Sequence, residues 1–393
     1  MKIAQVCYLY HPAIGGVESH VKNLSERLVS LGHTVEVFTS DFEDLQGKRR
    51  VKITREVVNG VLVKRYPGKF IDRRFTNSRF QAQKVEFGPI HEDLSKGNFD
   101  VIHVHSIPSK HFDEAYSVSK KLGCKIFVTA HFSPDDLVKA FKTKLTPWYW
   151  KIFLIPKLKK VNRFIAVSPS EAKAFASIVG LPEGKILVIP NGVNLEELDK
   201  VSNTKVRQFK DRYSPREPLI LFVGRIVPAK GIDILVEAVA SLRTRAKTLI
   251  VGPVGDERYF EELKRMVRRL KLESAVQFDQ LSRSEVLSAF HACDLFVLPT
   301  RGEVFGIVLA EAMAVGKVVI GANVGGIPDL IKDGKTGYLF EPGNYRDLRQ
   351  KITQAIEYRD LSKKISLAGC KEVRNKYDWN KLASKLEVLY AGK

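Results

Sequence analysis

The stretch Asp294-Leu-Phe-Val-Leu-Pro-Thr-Arg-Gly-Glu303-Val-Phe-Gly-Ile-Val-Leu-Ala-Glu311-Ala-Met-Ala decides the fold class of this chain. Its apolar run, Leu295 to Leu298, predicts a buried strand. A proline and a glycine then interrupt the pattern, and from Phe305 onward the residues are mostly apolar and predict a buried helix. The stretch is therefore a strand, a loop and a helix, with Glu303 just before the helix and Glu311 two turns into it.

This arrangement suits the binding of a phosphate and a sugar. The start of a helix carries unpaired N–H groups and a partial positive charge, and Gly306 lets a ligand approach the backbone closely. A carboxylate beside such a site accepts hydrogen bonds from sugar hydroxyls. The alternative for Glu303 is a solvated loop acid or a helix N-cap. Glu311 lies inside an apolar helix, so we expect it to have a partner.

Composition limits the class of protein. The chain has 393 residues, 44% of them hydrophobic, which is enough for two domains with full cores. The four cysteines lack metal-binding spacing and suit a reducing cytoplasm, and we expect neither a signal peptide nor a membrane span. The net charge of +20 predicts an anionic partner such as nucleotide phosphates or an anionic membrane. Nucleic acid is a minor alternative, because no zinc-finger or aromatic RNA-binding signature is present.

The chain opens with a strand, a glycine loop, a helix and a second strand, which is a βαβ unit. Gly15 and Gly16 lie in its first loop, where doubly wound folds bind ligands. Their N–H groups could face a diphosphate or the sugar. A plain tight turn is the alternative for a glycine pair. Further strands are predicted over 61–63, 101–104, 126–129, 164–167 and 187–189 in the first half and over 249–252, 276–278 and 318–320 in the second. Helical segments separate most of them, which predicts a parallel sheet, so the fold class is α/β.

Three histidines follow strands of this predicted sheet. Alternation places His103 and His105 on one face, and His131 comes at the end of the next strand. A metal site is a minor alternative for the first two, since no acidic or cysteine ligand accompanies them. We therefore predict no metal.

The second half repeats the architecture of the first. A strand over Leu219 to Val223 runs into a loop with Arg225 and Lys230, and a helix follows. Two cations at such a junction suit a diphosphate, because arginine offers a planar fork and lysine a point charge. Ordinary surface charges are the alternative.

Residues 137–160 combine lysines with aromatic and aliphatic side chains and contain no acid. A patch of this kind suits an interface with an anionic membrane. A core-packing helix with solvated lysines is an equal alternative.

These stretches resemble the retaining glycosyltransferases of family four. Glu303 and Glu311 match the E-x7-E motif of that family, and the matches cover nearly the whole chain in the expected order. The resemblance implies the GT-B fold, with two Rossmann-like domains facing across a cleft. The expected boundaries are an acceptor-binding domain over 1–192, a nucleotide-sugar-binding domain over 193–372, and a C-terminal helix over 373–393 that crosses back to the first domain. A hinge is expected at 189–193.

The resemblance also assigns roles to residues. His131 would contact the sugar near the leaving phosphate, and Glu303 would hold the sugar hydroxyls. The ribose hydroxyls would bind Glu311. The remaining implied donor-binding residues are Gly15, Gly16, Arg225, Lys230, Gly252, Leu281, Phe305, Gly306 and Ile307. The implied reaction is metal-independent hexosyl transfer without a cofactor, from a nucleotide diphosphate sugar as donor substrate.

The segment from Gly15 to His20 is similar to the opening of the phosphatidylinositol glycosyltransferases within this family. It implies a lipid-linked or phosphoinositol-type acceptor and a cytoplasmic protein at the membrane surface. The donor base (UDP, GDP or ADP), the sugar and the acceptor stay open at this stage. Two alternatives are a nucleotide-sugar epimerase of the same architecture and a basic binding protein without catalysis.

Overall fold

The computed structural model describes residues 1–44, 47, 49–70, 85–107, 109–134, 137, 148 and 150–392. The chain divides into two compact units. The first unit holds Met1–Gly192 and Trp379–Lys393, and the second holds Val193–Asp378. The chain therefore leaves the first unit after Gly192 and returns to it at Trp379.

The first unit is built on an eight-stranded sheet with the order β10-β9-β8-β7-β1-β2-β4-β3. Neighbouring strands are parallel except β3, which pairs antiparallel with β4 at one edge. A separate antiparallel pair joins β5 and β6. The strands are β1 Lys2–Val6, β2 Thr34–Ser40, β3 Arg55–Val58, β4 Val61–Tyr66, β5 Gly68–Phe70, β6 Val85–Phe87, β7 Val101–His105, β8 Lys125–Thr129, β9 Arg163–Ala166 and β10 Ile186–Val188.

Helices cover this sheet. The first-unit helices are α1 Gly16–Ser30, α2 His91–Lys96, α3 Lys110–Leu122, α4 Ile155–Leu158, α5 Pro169–Ala174 and the returning α15 Trp379–Ala391, with π-helical turns at Trp150–Leu154 and Phe175–Val179 and a 3-10 turn at Glu183–Lys185. The apolar faces of α1 and α15 share one buried cluster, in which Leu24 and Leu28 lie with Leu382 and Leu386. Burial of these side chains, each stabilising the fold by about 1.5–3 kcal/mol, explains why the last helix belongs to the first unit.

The second unit has a six-stranded parallel sheet with the order β13-β12-β11-β14-β15-β16. Its strands are β11 Leu219–Val223, β12 Lys247–Val251, β13 Val276–Asp279, β14 Leu295–Leu298, β15 Val318–Ala322 and β16 Tyr338–Phe340. Its helices are α6 Leu195–Asp199, α7 Asn203–Tyr213, α8 Ile232–Ala240, α9 Glu257–Arg269, α10 Arg283–Ala292, α11 Ile307–Ala314, α12 Ile327–Leu330, α13 Tyr345–Glu357 and α14 Arg359–Lys376, with a 3-10 turn at Pro228–Lys230.

The predicted α/β fold is confirmed, with differences at particular elements. The helix expected from Phe305 begins at Ile307, so Glu311 lies one turn inside it rather than two. The C-terminal segment that returns to the first unit begins at Trp379, because α14 still belongs to the second unit. Four strands were not predicted: β3, β5, β6 and β16. All four are only three or four residues long, so they carry little periodic signal.

The four cysteines are free thiols. The apolar neighbours of Cys7, Cys124 and Cys293 in the sequence predict that all three are buried. Cys7 and Cys293 are buried, while Cys124 is only half-buried. Among the described residues, no helix has both the length and the apolar character needed to cross a bilayer.

Candidate active site

The candidate donor-binding residues of the second unit lie along one edge of its sheet. Arg225 follows β11, Gly252 follows β12, Leu281 follows β13 and Glu303 follows β14. These four strands are adjacent in the sheet, and the strand order changes direction between β11 and β14. Doubly wound folds bind ligands at such a switch point, outside the carboxyl ends of the strands. Gly252 has a φ of +148°, and a Cβ there would lie 2.1 Å from the Gly224 carbonyl oxygen, so only glycine fits.

The loops after β11 and β14 are held together. Arg301 forms a two-point ion pair with Asp233, with one contact at 2.9 Å and the other at 2.5 Å, and also donates to the Pro228 carbonyl oxygen at 2.7 Å. The hydroxyl of Thr300 donates to the Ala229 carbonyl oxygen at 3.0 Å. These contacts fix the distance between the loop that carries Lys230 and the loop that carries Glu303. Sequence reasoning missed Arg301, which looks like an ordinary surface charge.

Lys230 and Glu303 form an ion pair. The lysine Nζ lies 2.7 Å from Oε2 of Glu303, with the two side chains 22% and 17% exposed. Glu303 is therefore neither a solvated loop acid nor an N-cap, since the N-cap of α11 is Gly306. Arg225 is half-buried, and among the residues that the structure describes its guanidinium has no hydrogen-bond or ion-pair partner. A half-buried cation without a counter-ion, in the same loop after β11 as the paired Lys230, favours an anionic ligand.

The start of α11 completes this edge. Gly306 has a φ of +88° in the left-handed region, which favours glycine. Within the described part of the chain, the N–H groups of Phe305, Gly306 and Ile307 have no acceptor. They are therefore available to a phosphate, and the helix adds a partial positive charge.

Glu311 has the partner that its apolar surroundings predicted. It is 6% exposed, and its Oε1 lies 2.5 Å from Nη2 of Arg283. Arg283 also makes two contacts with Glu197, at 3.2 and 2.9 Å. Sequence reasoning did not identify Arg283 or Glu197. Arg283 begins a helix with a capping box formed by Ser282 and Glu285, a polar pattern that is typical of a solvated helix start.

Gly325 supports the backbone of Glu303. It has a φ of +58°, and a Cβ there would lie 1.9 Å from the carbonyl oxygen of Glu303. The same oxygen accepts a hydrogen bond from the N–H of Gly326 at 3.0 Å. The glycine pair after β15 therefore sets the position of the acid.

The corresponding edge of the first unit carries histidines. Oε1 of Gln5 lies 2.7 Å from Nε2 of His105, and Nδ1 of His105 lies 3.1 Å from Nε2 of His131. Burial keeps the pKa of His105 and His131 well below the usual value, so both are neutral at pH 7. An amide oxygen only accepts, so His105 donates from Nε2 and accepts at Nδ1. His131 then donates from Nε2, which leaves its Nδ1 as an acceptor.

His103 has a different role. Its nitrogens contact the Tyr390 hydroxyl at 2.6 Å and the Thr129 hydroxyl at 2.8 Å, and it is fully buried. It therefore ties α15 to the sheet. As alternation predicted, it lies beside His105, with ring centroids 4.2 Å apart.

Gly15 and Gly16 form the start of α1, which has Gly15 as its N-cap. A Cβ at Gly15 would lie 2.1 Å from Oε2 of Glu18, so the glycine makes room for a buried carboxylate. Sequence reasoning missed this use of the glycine. Because Glu18 already brings a negative charge to the start of the helix, sugar hydroxyls suit this loop better than a diphosphate.

The segment 137–160 is partly described. Trp150 and Leu154 are buried in the core, whereas Trp148, Ile152 and Phe153 are 60%, 47% and 48% exposed. Lys151, Lys159 and Lys160 are also exposed. Lys139, Lys142, Lys144 and Tyr149 lie outside the described residues. Part of the segment therefore packs in the core and part presents apolar side chains beside lysines, and its contact with a membrane stays a prediction.

Comparisons with known proteins agree with this architecture. Residues 14–197 match the family model described as Glycosyltransferase Family 4, and residues 204–372 match that described as Glycosyl transferases group 1. The phosphatidylinositol N-acetylglucosaminyltransferase GPI3 subunit of Saccharomyces cerevisiae is 26% identical, over 99% of this chain and 82% of that protein. An uncharacterized glycosyltransferase of Methanocaldococcus jannaschii is 30% identical, over 99% of this chain and 98% of the relative.

Solved structures show the same fold. The crystal structure of the Anabaena protein HepE in complex with UDP and glucose matches with a TM-score of 0.79 at 20% identity, over 100% of both chains. The family models, the relatives and the two α/β units lead to one conclusion. The chain belongs to glycosyltransferase family four and has the GT-B fold.

Proposed function

We propose that this glycosyltransferase moves a hexose-type sugar, with retention, from a nucleotide diphosphate sugar to a lipid-linked or phosphoinositol-type acceptor. The observation that carries the proposal is the placement of two kinds of group at the switch point of the second sheet, after the neighbouring strands β11 and β14. Arg225 is half-buried and has no partner among the described residues, and Lys230, from the same loop, forms an ion pair with Glu303. The names of similar proteins support the two substrates: HepE was solved with UDP and glucose, and the yeast relative is named for phosphatidylinositol.

The charges of the second unit match the needs of the leaving group. When the bond between the anomeric carbon and the diphosphate oxygen breaks, the sugar becomes oxocarbenium-like and the diphosphate gains negative charge. Arg225, Lys230 and the N–H groups at the start of α11 would stabilise that charge without a metal ion, by several kcal/mol in a preorganised site. The diphosphate would draw Lys230 away from Glu303.

Release from Lys230 frees Glu303 to accept hydrogen bonds from the sugar hydroxyls. Glu311, oriented by Arg283, would hold the ribose hydroxyls in the same way. Nδ1 of His131 would accept a hydrogen bond from a sugar hydroxyl, because the Nε2–H of the same ring already donates a hydrogen bond to His105. The acceptor hydroxyl would attack on the face from which the diphosphate leaves, and its proton would pass to the leaving phosphate oxygen.

The lipid acceptor would be reached at an anionic membrane. The exposed side chains of Trp148, Ile152 and Phe153, beside exposed lysines, support this part of the proposal. Apolar side chains would enter the interface, and each nearby lysine would add about 1 kcal/mol. Wild-type protein should sediment with phosphatidylinositol vesicles at low salt and stay in the supernatant at high salt. The double variant Ile152→Ser with Phe153→Ser should sediment more weakly at low salt. No sedimentation of wild type at low salt would refute the membrane arm.

The test of the reaction is the double variant Arg225→Ala with Lys230→Ala. We expect a loss of transfer of at least about a thousandfold and weaker binding of nucleoside diphosphate, because two cations of the site are absent. Transfer at the wild-type rate in the double variant would refute the site.

Two further experiments use the wild-type protein. Calorimetry with UDP, GDP and ADP identifies the base of the donor. Incubation of the donor without an acceptor tests the alternative activity, because an epimerase would isomerise the sugar.

A further inference from the structure

Three histidines of the first unit converge in a way that hydrogen bonding alone does not explain. His20 comes from α1, His105 from the end of β7 and His131 from the loop after β8. One nitrogen from each ring lies within 4.8 Å of the others. His105 and His131 already have nitrogens 3.1 Å apart. Metal–nitrogen bonds of about 2.0–2.1 Å in a tetrahedral site place neighbouring nitrogens about 3.3 Å apart.

The surroundings of the rings are those of metal-binding histidines. Nδ1 of His20 lies 2.6 Å from Oδ1 of Asn191, and Nε2 of His105 lies 2.7 Å from Oε1 of Gln5. Each ring thus donates one N–H to an amide oxygen. The other nitrogen, Nε2 of His20 and Nδ1 of His105, carries a lone pair that can bind an ion in the histidine cluster. Ligating histidines almost always donate their second N–H in this way, which fixes the tautomer that can bind the ion.

His20 supplies independent evidence for a ligand. It is 2% exposed, and its Nε2 is buried with no hydrogen-bond partner among the described residues. A buried polar atom without a partner is unfavourable unless a ligand satisfies it. Burial lowers the pKa of His20 to about 4, so its imidazole is neutral at pH 7, the form that ligates metals.

The geometry points to a three-histidine site for a divalent transition ion of the zinc class, formed by Nε2 of His20, Nδ1 of His105 and Nε2 of His131. Imidazole ligands suit Zn²⁺, Cu²⁺ and Ni²⁺. Three protein ligands leave a fourth position for water. His103 is outside the set, because both of its nitrogens are used by Tyr390 and Thr129.

The ion would act as an inhibitor of transfer, and this part rests on the proposed function. Coordination through Nε2 of His131 requires its proton to move to Nδ1. That nitrogen then donates instead of accepting, and the ring is held toward His20 and His105. The hydrogen bond proposed from a sugar hydroxyl to Nδ1 is lost. The metal independence proposed for the reaction is unaffected, since the diphosphate is stabilised by the cations of the second unit.

Metal binding is tested without activity. The full chain is stripped with a chelator and titrated with Co²⁺ as a spectroscopic probe, then with Zn²⁺ by calorimetry. We expect one equivalent of Co²⁺ with the visible absorption of a four-coordinate site, displaced by Zn²⁺. His20→Ala should weaken Zn²⁺ binding at least tenfold, whereas the control His91→Ala, outside the cluster, should bind as wild type.

The outcomes separate the site from its effect. Six-coordinate Co²⁺ spectra in the wild type, or Zn²⁺ affinity unchanged in His20→Ala, would overturn the site; if that variant does not fold, the wild-type spectrum decides. Inhibition is measured against the metal-free rate of each variant. Stoichiometric Zn²⁺ should stop transfer in the wild type, reversibly by chelator, and should spare His20→Ala. If Zn²⁺ binds to the three histidines and transfer continues, the proposed inhibition and the proposed hydrogen bond from a sugar hydroxyl to His131 would both be overturned. The metal site itself would stand.

Discussion

The two units place similar strand-loop-helix edges at the switch points of their sheets, but with opposite chemistry. The edge of the second unit is ionic: Lys230 pairs with Glu303, and Arg283 with Glu311. The edge of the first unit carries neutral imidazoles linked to an amide oxygen at the ends of β7 and β8, and among the described residues of those two strand ends there is no ion pair. The difference shows that this fold determines where a ligand binds, whereas the side chains after the strands determine which charge it carries.

Two buried carboxyls make the comparison sharper. Glu311 is stabilised by a guanidinium, whereas fully buried Glu171 accepts only backbone N–H groups, from Phe132 at 2.8 Å and Val167 at 2.7 Å, among the described residues. Without a cation, burial dominates and raises the pKa of Glu171 to about 7, despite those hydrogen bonds. Glu171 holds the loop after β8 by accepting the hydrogen bond from the Phe132 N–H. At mildly acidic pH the carboxyl of Glu171 is mostly neutral.

Among single substitutions, the largest effect is expected for Glu303→Ala. Transfer should fall about 10²–10³-fold, because the hydrogen bonds to the sugar are lost, while the free energy of unfolding changes little. Initial rates with saturating donor measure the loss, and urea denaturation checks the fold. Glu357→Ala, an exposed acid of the same unit, is the control. Equal rates in the two variants would contradict the ionic site.

The second prediction concerns pH and Glu171. Between pH 4.5 and 7 the native acid binds a proton that the unfolded chain has lost, so the free energy of unfolding should fall as pH rises through this window. The reference is Glu171→Gln, whose side chain does not titrate. The free energy of unfolding of the wild type, relative to this variant, should fall by at most about 3 kcal/mol across the window. Urea denaturation of both proteins across this range measures it. A difference that stays constant with pH would show that the hydrogen bonds from the backbone N–H groups cancel the effect of burial on this pKa.

Gly325→Ala tests the support of the ionic edge. Its Cβ would meet the Glu303 carbonyl, so we expect Glu303 to shift and transfer to fall at least about tenfold, or about 1.4 kcal/mol. Gly334→Ala is the matched control, since Gly334 also has a positive φ but a Cβ there would meet no atom within 4 Å. It should destabilise the fold by about 1 kcal/mol through backbone strain and leave the rate unchanged. Similar transfer rates in both variants would show that Gly325 does not set the position of Glu303.

The smallest effect is expected for Arg283→Ala. Removing the partner of buried Glu311 should lower the free energy of unfolding by about 1 kcal/mol, less than for a fully buried pair because the arginine side chain is 46% exposed. Urea denaturation measures it. Lys96→Ala breaks an ion pair whose side chains are 72% and 78% exposed and should have almost no effect. An equally small change for Arg283→Ala would mean that water reaches Glu311.

Much of this molecule follows from local pattern. The apolar run of β14, the helix after it and the βαβ opening were predicted from sequence, because apolar runs, glycine and proline act over a few neighbouring residues. The positions of Arg225, Lys230 and Glu303 after strands followed in the same way. The need of Glu311 for a partner was also predictable, since a charge in an apolar helix requires one.

The identities of the partners were decided by tertiary structure. Arg283 reaches Glu311 from 28 residues away, Asn191 reaches His20 from 171, and the short strands β3 and β16 form only against neighbours. The alternating α/β pattern and the residue types at the strand ends follow from the order of residues alone, because they depend on the chain's own periodicity. Only the folded sheets determined which of those residues meet, because parallel strands bring distant loops to a common edge.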